Sequence, residues 1–541
     1  MTDCMDARQR EATLEQLNNS EFDLVVVGGG ITGAGILREA ALRGLSVALL
    51  ECDDYASGTS SKSTKLIHGG IRYLAMGHVH IVRQTSRERK RVHRLAPHLA
   101  EPMNLMLPAD NLWTHLKYRV GVTTYEYLGQ VDSGERHVNL GGQSLSEEEP
   151  QLDTANFPYA CVYREYLTED ARLVLANLRA GVNAGGISLN YARVTGLIKE
   201  GSKTRGVQAV CGRSGREIVV RSNVVINAAG PWVGSINEQN GLASSKSIVL
   251  SKGVHIVVSG QRLPLNHPVM MVSSDHRPVF AIPKDDVVYI GTTDTAWSED
   301  ASHWPCVHQQ DIEYLFEPVK RYFDIQLEMS DCLASWAGLR PLISEPGKST
   351  KDISRKDEVW VSDSGLITIA GGKLTGYRKM AEDTVDKAVH MLDVTAKINA
   401  KENAPAPDLP LPGGDFNTDL DTLVRMFAER TKLAHRVLER LVRLYGNECD
   451  QVIALGDQAL VSTGLVLEGE IIWAVRSEGA TTLVDTLYRR TRAAVYRPTE
   501  VLDLVDPAAD LMAAELGWDP TRRVNEIKAF RDRFLADARM T

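Results

Sequence analysis

Three glycines and one acid carry the first readable chemistry. Gly28-x-Gly30-x-x-Gly33 follows an apolar run, Leu24–Val27, and precedes an alanine-rich, helix-favouring segment, Ala34–Arg43. A second apolar run, Ser46–Leu50, then ends in Glu51. In that order Gly28 allows a tight turn, Gly30 lets the backbone approach a pyrophosphate, and Gly33 lets helix and strand pack closely. The helix start offers N–H groups and a positive dipole to phosphates, and Glu51 stands where a carboxylate accepts ribose hydroxyls. This is dinucleotide-binding chemistry on a strand, a helix and a second strand.

Other elements must return to complete that layer. Asn223–Asn227 reads as a parallel strand ending in Ala228-Ala-Gly230-Pro-Trp232, a turn suited to close approach of a ligand. Leu366–Ala370 reads as a last strand, entering Gly371-Gly372-Lys373-Leu374-Thr375 and then a helix through Val385. Strands near 24, 47, 225 and 368 would share one sheet. Between them Val194–Ile198, Gly206–Val210 and Glu217–Val220 suggest an antiparallel ribbon, and Gly253–Thr293 alternates with period two, as a half-buried sheet does. Asp170–Ala180 reads as an amphipathic helix and Arg83–His98 as a basic helical stretch, whereas residues 105–165 read as irregular or antiparallel. Glu402–Asp415 is a proline-rich linker, and the tail from Leu420 through Phe534 keeps helical spacing. A nucleotide layer to which the chain returns near its end points to FAD more than to NAD.

Composition narrows the class. The 541 residues suffice for two or three domains, and 61 basic against 70 acidic residues give a net charge of −9, which argues against nucleic acid as a partner. The first 20 residues are polar, unlike a secretory signal, and no run of 18 apolar residues would span a bilayer. Seven scattered cysteines without a Cys-x-x-Cys pair fit reduced thiols in the cytoplasm, with no metal site.

Residues 57–74, Ser-Gly-Thr-Ser-Ser-Lys-Ser-Thr-Lys-Leu-Ile-His-Gly-Gly-Ile-Arg-Tyr-Leu, closely resemble the flavin loop of the FAD-dependent glycerol-3-phosphate dehydrogenases, D-amino-acid-oxidase-like flavoproteins. The resemblance continues in DARLVLAN (170–177), NAAGPW (227–232), KGVHIVV (252–258), GTTD (291–294), GLRPL (338–342) and GGKLTGYR (371–378). It covers about residues 22–390, and more weakly the helical tail. Two departures are a polar N-terminal segment and Gly376, which stands where a second threonine is common.

The implied fold is α/β, α+β overall. A discontinuous Rossmann-like FAD-binding domain would hold residues 22–105, 160–252 and 335–400. An inserted antiparallel cap would hold 106–159 and 253–334. The rest would be a polar extension at 1–21, a linker at 401–415 and a C-terminal helical domain at 416–541. The implied reaction, part of glycerol catabolism, is oxidation of sn-glycerol 3-phosphate to dihydroxyacetone phosphate, with hydride passing from C2 to flavin N5. The electrons are expected to pass to a membrane quinone, with oxygen, giving peroxide, as the alternative acceptor. A flavin-binding regulatory protein without turnover is the alternative from another class.

That chemistry assigns roles. Arginine binds oxyanions through a planar fork, so Arg340 and Arg355 are the candidate phosphate ligands, with Arg72 and Tyr73 closing the other side. Lys373, at a helix start, would favour negative charge at the flavin pyrimidine edge, and Thr375 would donate to that ring. Thr59, Ser60, Ser61, Lys65, His68, Gly230, Gly371, Gly372 and Leu374 join Gly28, Gly30, Gly33 and Glu51 as cofactor contacts. No covalent flavinylation motif is present, so FAD is expected to be non-covalent. His255 is the first candidate for the base that takes the C2 hydroxyl proton, with His68 behind it; Asp294 would position groups. The basic stretch 83–94 and Trp113–Arg119 would lie against anionic lipid on the inner face of the cell membrane. A homodimer is expected.

Overall fold

The computed structural model describes residues 5–70, 74, 79–239, 248–299, 304–343, 357–392, 409–462 and 464–538. Helix α1 (Arg10–Asn19) leads into β1 (Glu21–Val27), α2 (Ile31–Leu42) and β2 (Val47–Leu50). Next come β3 (Leu66–Ile67), α3 (Val79–Leu95), β4 (Ala100–Ala109), α4 (Leu112–Gly129), β5 (Val138–Gly141) and β6 (Tyr159–Thr168). Helix α5 (Asp170–Asn183) leads to β7 (Ile187–Leu189), β8 (Ala192–Glu200), β9 (Lys203–Cys211) and β10 (Glu217–Asn227).

Strands β11 (Ile248–Ser259), β12 (Val269–Val272), β13 (Pro278–Lys284), β14 (Val287–Gly291), β15 (Thr295–Trp297) and β16 (Cys332–Ile343) follow. Then come β17 (Asp357–Val361), β18 (Ile367–Gly371) and α6 (Tyr377–Met391). The last part is helical, with α7 (Leu420–Ala428), α8 (His435–Tyr445), α9 (Glu468–Glu478), α10 (Val501–Leu516) and α11 (Pro520–Ala538).

The nucleotide layer is a sheet in the order β17-β18-β10-β1-β2-β7, parallel from β18 to β7, with β8 and β9 as an antiparallel ribbon on β10. Leu24 through Val27 are buried because helices cover one face and the ribbon and α1 the other, so the run is apolar throughout and not alternating. Helices α2, α5 and α6 pack together on one face. The ribbon's third strand and the parallel strand read separately in the sequence are one strand, β10.

The second sheet runs β15-β11-β14-β13-β12-β4-β6-β3, with β16 on β11 and β5 on β6. It reaches beyond 106–159 and 253–334, since β3 and β4 begin it and β11 and β16 stay paired from Ile248↔Ile343 to Val258↔Cys332. Pairing register, not motif position, sets those ends.

Two expectations change. Residues 10–19 form a helix whose Leu14 and Leu17 are fully buried, so the polar extension is an ordered part of the nucleotide layer. Helix α5 is buried along most of its length, because the helical domain covers the face that faced water in the amphipathic reading. That domain docks through buried ion pairs: Arg172–Glu478 at 2.6 Å, Arg492–Asp170 at 3.0 Å, and Arg490 Nη2 to Asp54 Oδ1 at 2.9 Å. Of the linker, residues 401–408 lie outside the described residues.

Candidate active site

Both glycine-rich strand ends, after β1 and after β18, open on one cavity of about 1140 Å³. At the β1 end the backbone makes the surface. Gly28 has φ +114°, and a Cβ there would lie 2.5 Å from the Ala228 carbonyl. Gly33 does not line the cavity but holds helix to strand, where a Cβ would stand 1.9 Å from the Gly28 carbonyl. At Gly30 a Cβ would project toward Ser60 Oγ, 3.0 Å away, in space the cavity occupies. Ser60 Oγ accepts the Ile31 N–H at 2.9 Å, pinning the flavin loop to the start of α2.

Glu51 ends β2 with its carboxylate accepting the N–H of Gly29 at 2.6 Å and of Asp53 at 2.9 Å. Burial raises its pKa, while those two N–H groups work the other way. A cavity with phosphate-sized space at a helix start, a glycine whose Cβ would fill it and an adjoining carboxylate fits an adenine dinucleotide. Tyr191–Thr195 continue the wall beyond Glu51.

The other end is lined by His68, Gly371, Gly372, Lys373, Leu374 and Thr375, and Gly230 also lines the cavity. Thr375 ties the two motifs together, accepting the His68 N–H at 3.1 Å and donating to the His68 carbonyl at 3.0 Å. Its hydroxyl proton is used by the flavin loop, which leaves its backbone N–H as the group that could donate to the ring. Nearby, Arg340 on β16 extends into the cavity wall. Its guanidinium donates to Thr292 Oγ1 at 2.7 Å and to the Thr293 carbonyl at 3.1 Å, with Asp294 at 3.6 Å. Gly253, opposite Gly338 on β11, leaves it room, since a Cβ there would lie 2.2 Å from Arg340 Nη2. The GTTD motif thus fixes an arginine in the cavity wall.

Several sequence candidates stand elsewhere. Lys65 is fully buried and pairs with Asp170 at 3.0 Å, its ammonium 4.5 Å from the Trp336 ring centroid; it supports the loop from behind and does not line the cavity. Ser61 also lies behind, its carbonyl accepting from Lys65 Nζ at 3.1 Å, whereas Thr59 lines the cavity and donates to the Leu339 carbonyl at 2.6 Å. His255 does not line the cavity: it stacks on Trp336 and meets Thr64 Oγ1 through Nε2 at 3.0 Å. Burial first, then Lys65 and Arg340, push its pKa well below the ordinary histidine value, so the ring is neutral. Arg72, Tyr73 and Arg355 lie outside the described residues.

The sequence reading missed Thr64, which stands between His255 and the cavity, and Lys62, which lines it. Burial, helped by Arg533, draws the Lys62 ammonium down to about 7. It also missed Tyr488, Arg489 and Arg533, through which the helical domain reaches the cavity. No local motif marks them; only the helical spacing of that stretch was visible. Trp232, noted only as part of a turn, stacks on Trp304 with centroids 5.5 Å apart in the same wall.

Residues 23–378 match the FAD dependent oxidoreductase family, and residues 405–523 the C-terminal domain of alpha-glycerophosphate oxidase. The chain is 35% identical to an aerobic glycerol-3-phosphate dehydrogenase of Staphylococcus haemolyticus, over 95% of this chain and 94% of that one. It is also 35% identical to a protein of that name in Bacillus subtilis, over 94% of each. The crystal structure of the Bacillus halodurans glycerol-3-phosphate dehydrogenase complexed with FAD superposes with a TM-score of 0.81 at 32% identity, covering 99% of both chains. With its glycine turns, its cavity and its oriented arginine in the places such a protein needs them, the chain belongs to the aerobic glycerol-3-phosphate dehydrogenase family of FAD-dependent oxidoreductases.

Proposed function

We propose that this protein oxidises sn-glycerol 3-phosphate to dihydroxyacetone phosphate with non-covalent FAD, and passes the electrons to a quinone. The observation that carries the reading is Arg340, fixed by Thr292 and Thr293 at the end of the cavity that His68 and Gly371–Thr375 line. A guanidinium already held by its neighbours loses little freedom on meeting a phosphate, and its planar fork suits two phosphate oxygens.

Gly28, Gly30 and Glu51 would hold the nucleotide half of FAD, and Gly371–Thr375 with His68 the flavin half. Bound FAD supplies the acceptor for the C2 hydride. Lys373, in the turn before α6, places positive charge where reduction adds negative charge. The C2 hydroxyl proton goes to His255 by way of the Thr64 hydroxyl, which lines the cavity and touches Nε2. The neutral imidazole can take that proton, and the burial that keeps it neutral, helped by the nearby cations, also makes it a weak base.

Membrane contact and a quinone acceptor are supported by α4. Leu112, Trp113 and Val120 on that helix are 56%, 66% and 66% exposed, beside the exposed Lys117 and Arg119. Such a helix lies in a lipid interface. The α3 cations support this less evenly. Arg89 is buried against Glu165, Arg91 pairs with Glu88 at 3.2 Å, and Lys90 lies 3.4 Å from Asp132, while Arg87 and Arg94 stay exposed. No helix among the described residues is long and apolar enough to cross a membrane. The attachment would be peripheral, on the inner face, with the enzyme a homodimer.

Anaerobic addition of glycerol 3-phosphate to the purified yellow protein should bleach the flavin absorbance and yield dihydroxyacetone phosphate; an unchanged spectrum would overturn the reading. Turnover with a soluble quinone and little peroxide in air is expected, and stoichiometric peroxide would replace the quinone with oxygen. Vesicles with anionic lipid should sediment the protein, and loss of sedimentation on Trp113→Asn with Val120→Asn would place the contact on α4.

A further inference from the structure

Gly69, next to the cavity-lining His68, is tied at both backbone groups. Its N–H donates to the Tyr125 hydroxyl at 2.8 Å, and its carbonyl accepts from Thr85 Oγ1 at 2.7 Å. Tyr125 comes from α4 and Thr85 from α3, so two helices hold one residue of the flavin loop. No side chain fits at that point, since a Cβ on Gly69 would lie 2.3 Å from the Tyr125 oxygen. His68 in turn is held at both of its backbone groups by Thr375. The chain from Tyr125 to the turn after β18 is therefore continuous and made of hydrogen bonds.

The Tyr125 hydroxyl is itself oriented. It is fully buried, donates to Glu165 Oε1 on β6 at 2.5 Å, and accepts from Arg89 Nη1 at 2.9 Å. Arg89 also donates to Glu165 Oε2 at 2.7 Å and to the Arg164 carbonyl at 3.0 Å. Burial raises the phenol's pKa far above its ordinary value, so it keeps its proton and gives it to the carboxylate. Its lone pairs are then left for Gly69 and Arg89. Charged partners at both ends make these bonds shorter and stiffer than neutral ones. A buried ion pair is weak evidence for stability and better evidence for fixing one arrangement.

We propose that Tyr125 is a positioning residue of the flavin loop: its hydroxyl, oriented by Arg89 and Glu165, fixes Gly69 and through it His68 and Thr375 at the flavin end of the cavity. The assignment rests on the FAD reading above. It gives α4 two functions, one on each face.

The test is Tyr125→Phe in the full-length, FAD-loaded enzyme. The ring stays, and with it the edge contact to Tyr163 and the place over which Arg89 packs. FAD should remain bound while its visible absorption maxima and reduction potential move. In the substrate reaction kcat should fall about tenfold, with KM for glycerol 3-phosphate changed by less than about twofold, as expected for one lost hydrogen bond. Amide exchange in the peptide holding Gly69 should quicken in the cofactor-free protein too. A Tyr125→Phe enzyme with wild-type flavin spectrum, potential, exchange and kcat overturns the proposal, even if its melting temperature has dropped. If that variant does not fold, Thr85→Val, which releases the Gly69 carbonyl, should show the same spectral shift and faster exchange; wild-type behaviour there overturns it equally. Should the wild-type protein bind no flavin at all, the functional reading fails first and is recognised as such.

Discussion

The two ends of the cavity are built on different principles. At the nucleotide end the surface is backbone, and its shape follows from where a Cβ is forbidden. Gly28, Gly30 and Gly33 lie within six residues of one another, and Glu51 follows one helix and one strand later. At the proposed substrate end the candidate group is a side chain held by residues from afar: Arg340 on β16, Thr292 and Thr293 after β14, and room left by Gly253 on β11. A site made of backbone is written in contiguous residues. A site made of side chains is written across the chain.

Substituting the glycines should produce the largest effects and separate two kinds of steric demand. A Cβ at Gly33 would sit 1.9 Å from a backbone carbonyl, which no rotamer can relieve. Gly33→Ala should therefore exceed the roughly 1–3 kcal/mol of ordinary overpacking and leave little folded, flavin-loaded protein. Gly30→Val places its methyls in the cavity and meets only Ser60. It should give a folded, colourless protein with the cofactor-free melting temperature retained. Equal FAD content in Gly33→Ala and wild type, measured as flavin released on denaturation, would break the steric account of this end.

Two acids in one loop sharpen the comparison. Glu51 and Asp54 are both buried, yet their pKa values move in opposite directions. Burial dominates at Glu51 and raises it. At Asp54 burial acts the same way, but Arg490 and Arg489 outweigh it and hold the carboxyl below the usual range. Because the folded pKa is the lower one, Asp54 contributes stability above its unfolded value of about 3.9, lost as pH falls below that. Asp54→Asn leaves two buried arginines short of charge and should cost about 3–5 kcal/mol in denaturant unfolding. Its acid-unfolding curve should flatten. Glu51→Gln should weaken FAD retention with little change in unfolding, because that carboxylate lines the cavity and has no buried cation as partner. The reverse pattern would mean that the two roles have been exchanged.

How much the sequence disclosed follows the same division. The parallel strands, the glycine turns and Glu51 were legible because each depends on neighbours a few residues away. Arg340 was legible only through the GLRPL motif, since nothing near it in sequence says that Thr292 and Thr293 would hold it. Lys65 was expected among the cofactor contacts, while the partner that holds its ammonium, Asp170, is 105 residues away and no local motif announces it. Helix α1 was hidden by its polar composition, with only Leu14 and Leu17 turned fully inward. The exposed apolar face of α4 could be suspected from Trp113 but not separated from its buried face. Burial of Tyr125 on one side of that helix and exposure of Val120 on the other are decided by what packs against it.

The smallest of these effects tests the substrate end most directly. Arg340→Ala should lower kcat/KM for glycerol 3-phosphate by about 30- to 900-fold, since removing one partner of a charged, partly desolvated contact costs about 2–4 kcal/mol. Flavin content should stay at the wild-type level, because the FAD-holding residues of the nucleotide end are elsewhere. Arg340→Lys should recover only part of the loss: an ammonium restores the charge but cannot present a planar fork while still meeting both Thr292 and Thr293. Glycerol provides the control, having the same C2 carbinol and no phosphate. Its slow oxidation should be nearly the same in wild type and Arg340→Ala, so the ratio of the two substrates, not either rate alone, reports on the arginine. If glycerol oxidation fell as far as that of the phosphate ester, Arg340 would be shaping the cavity and not binding the phosphate, and the side-chain account of this end would have to be rebuilt around another cation.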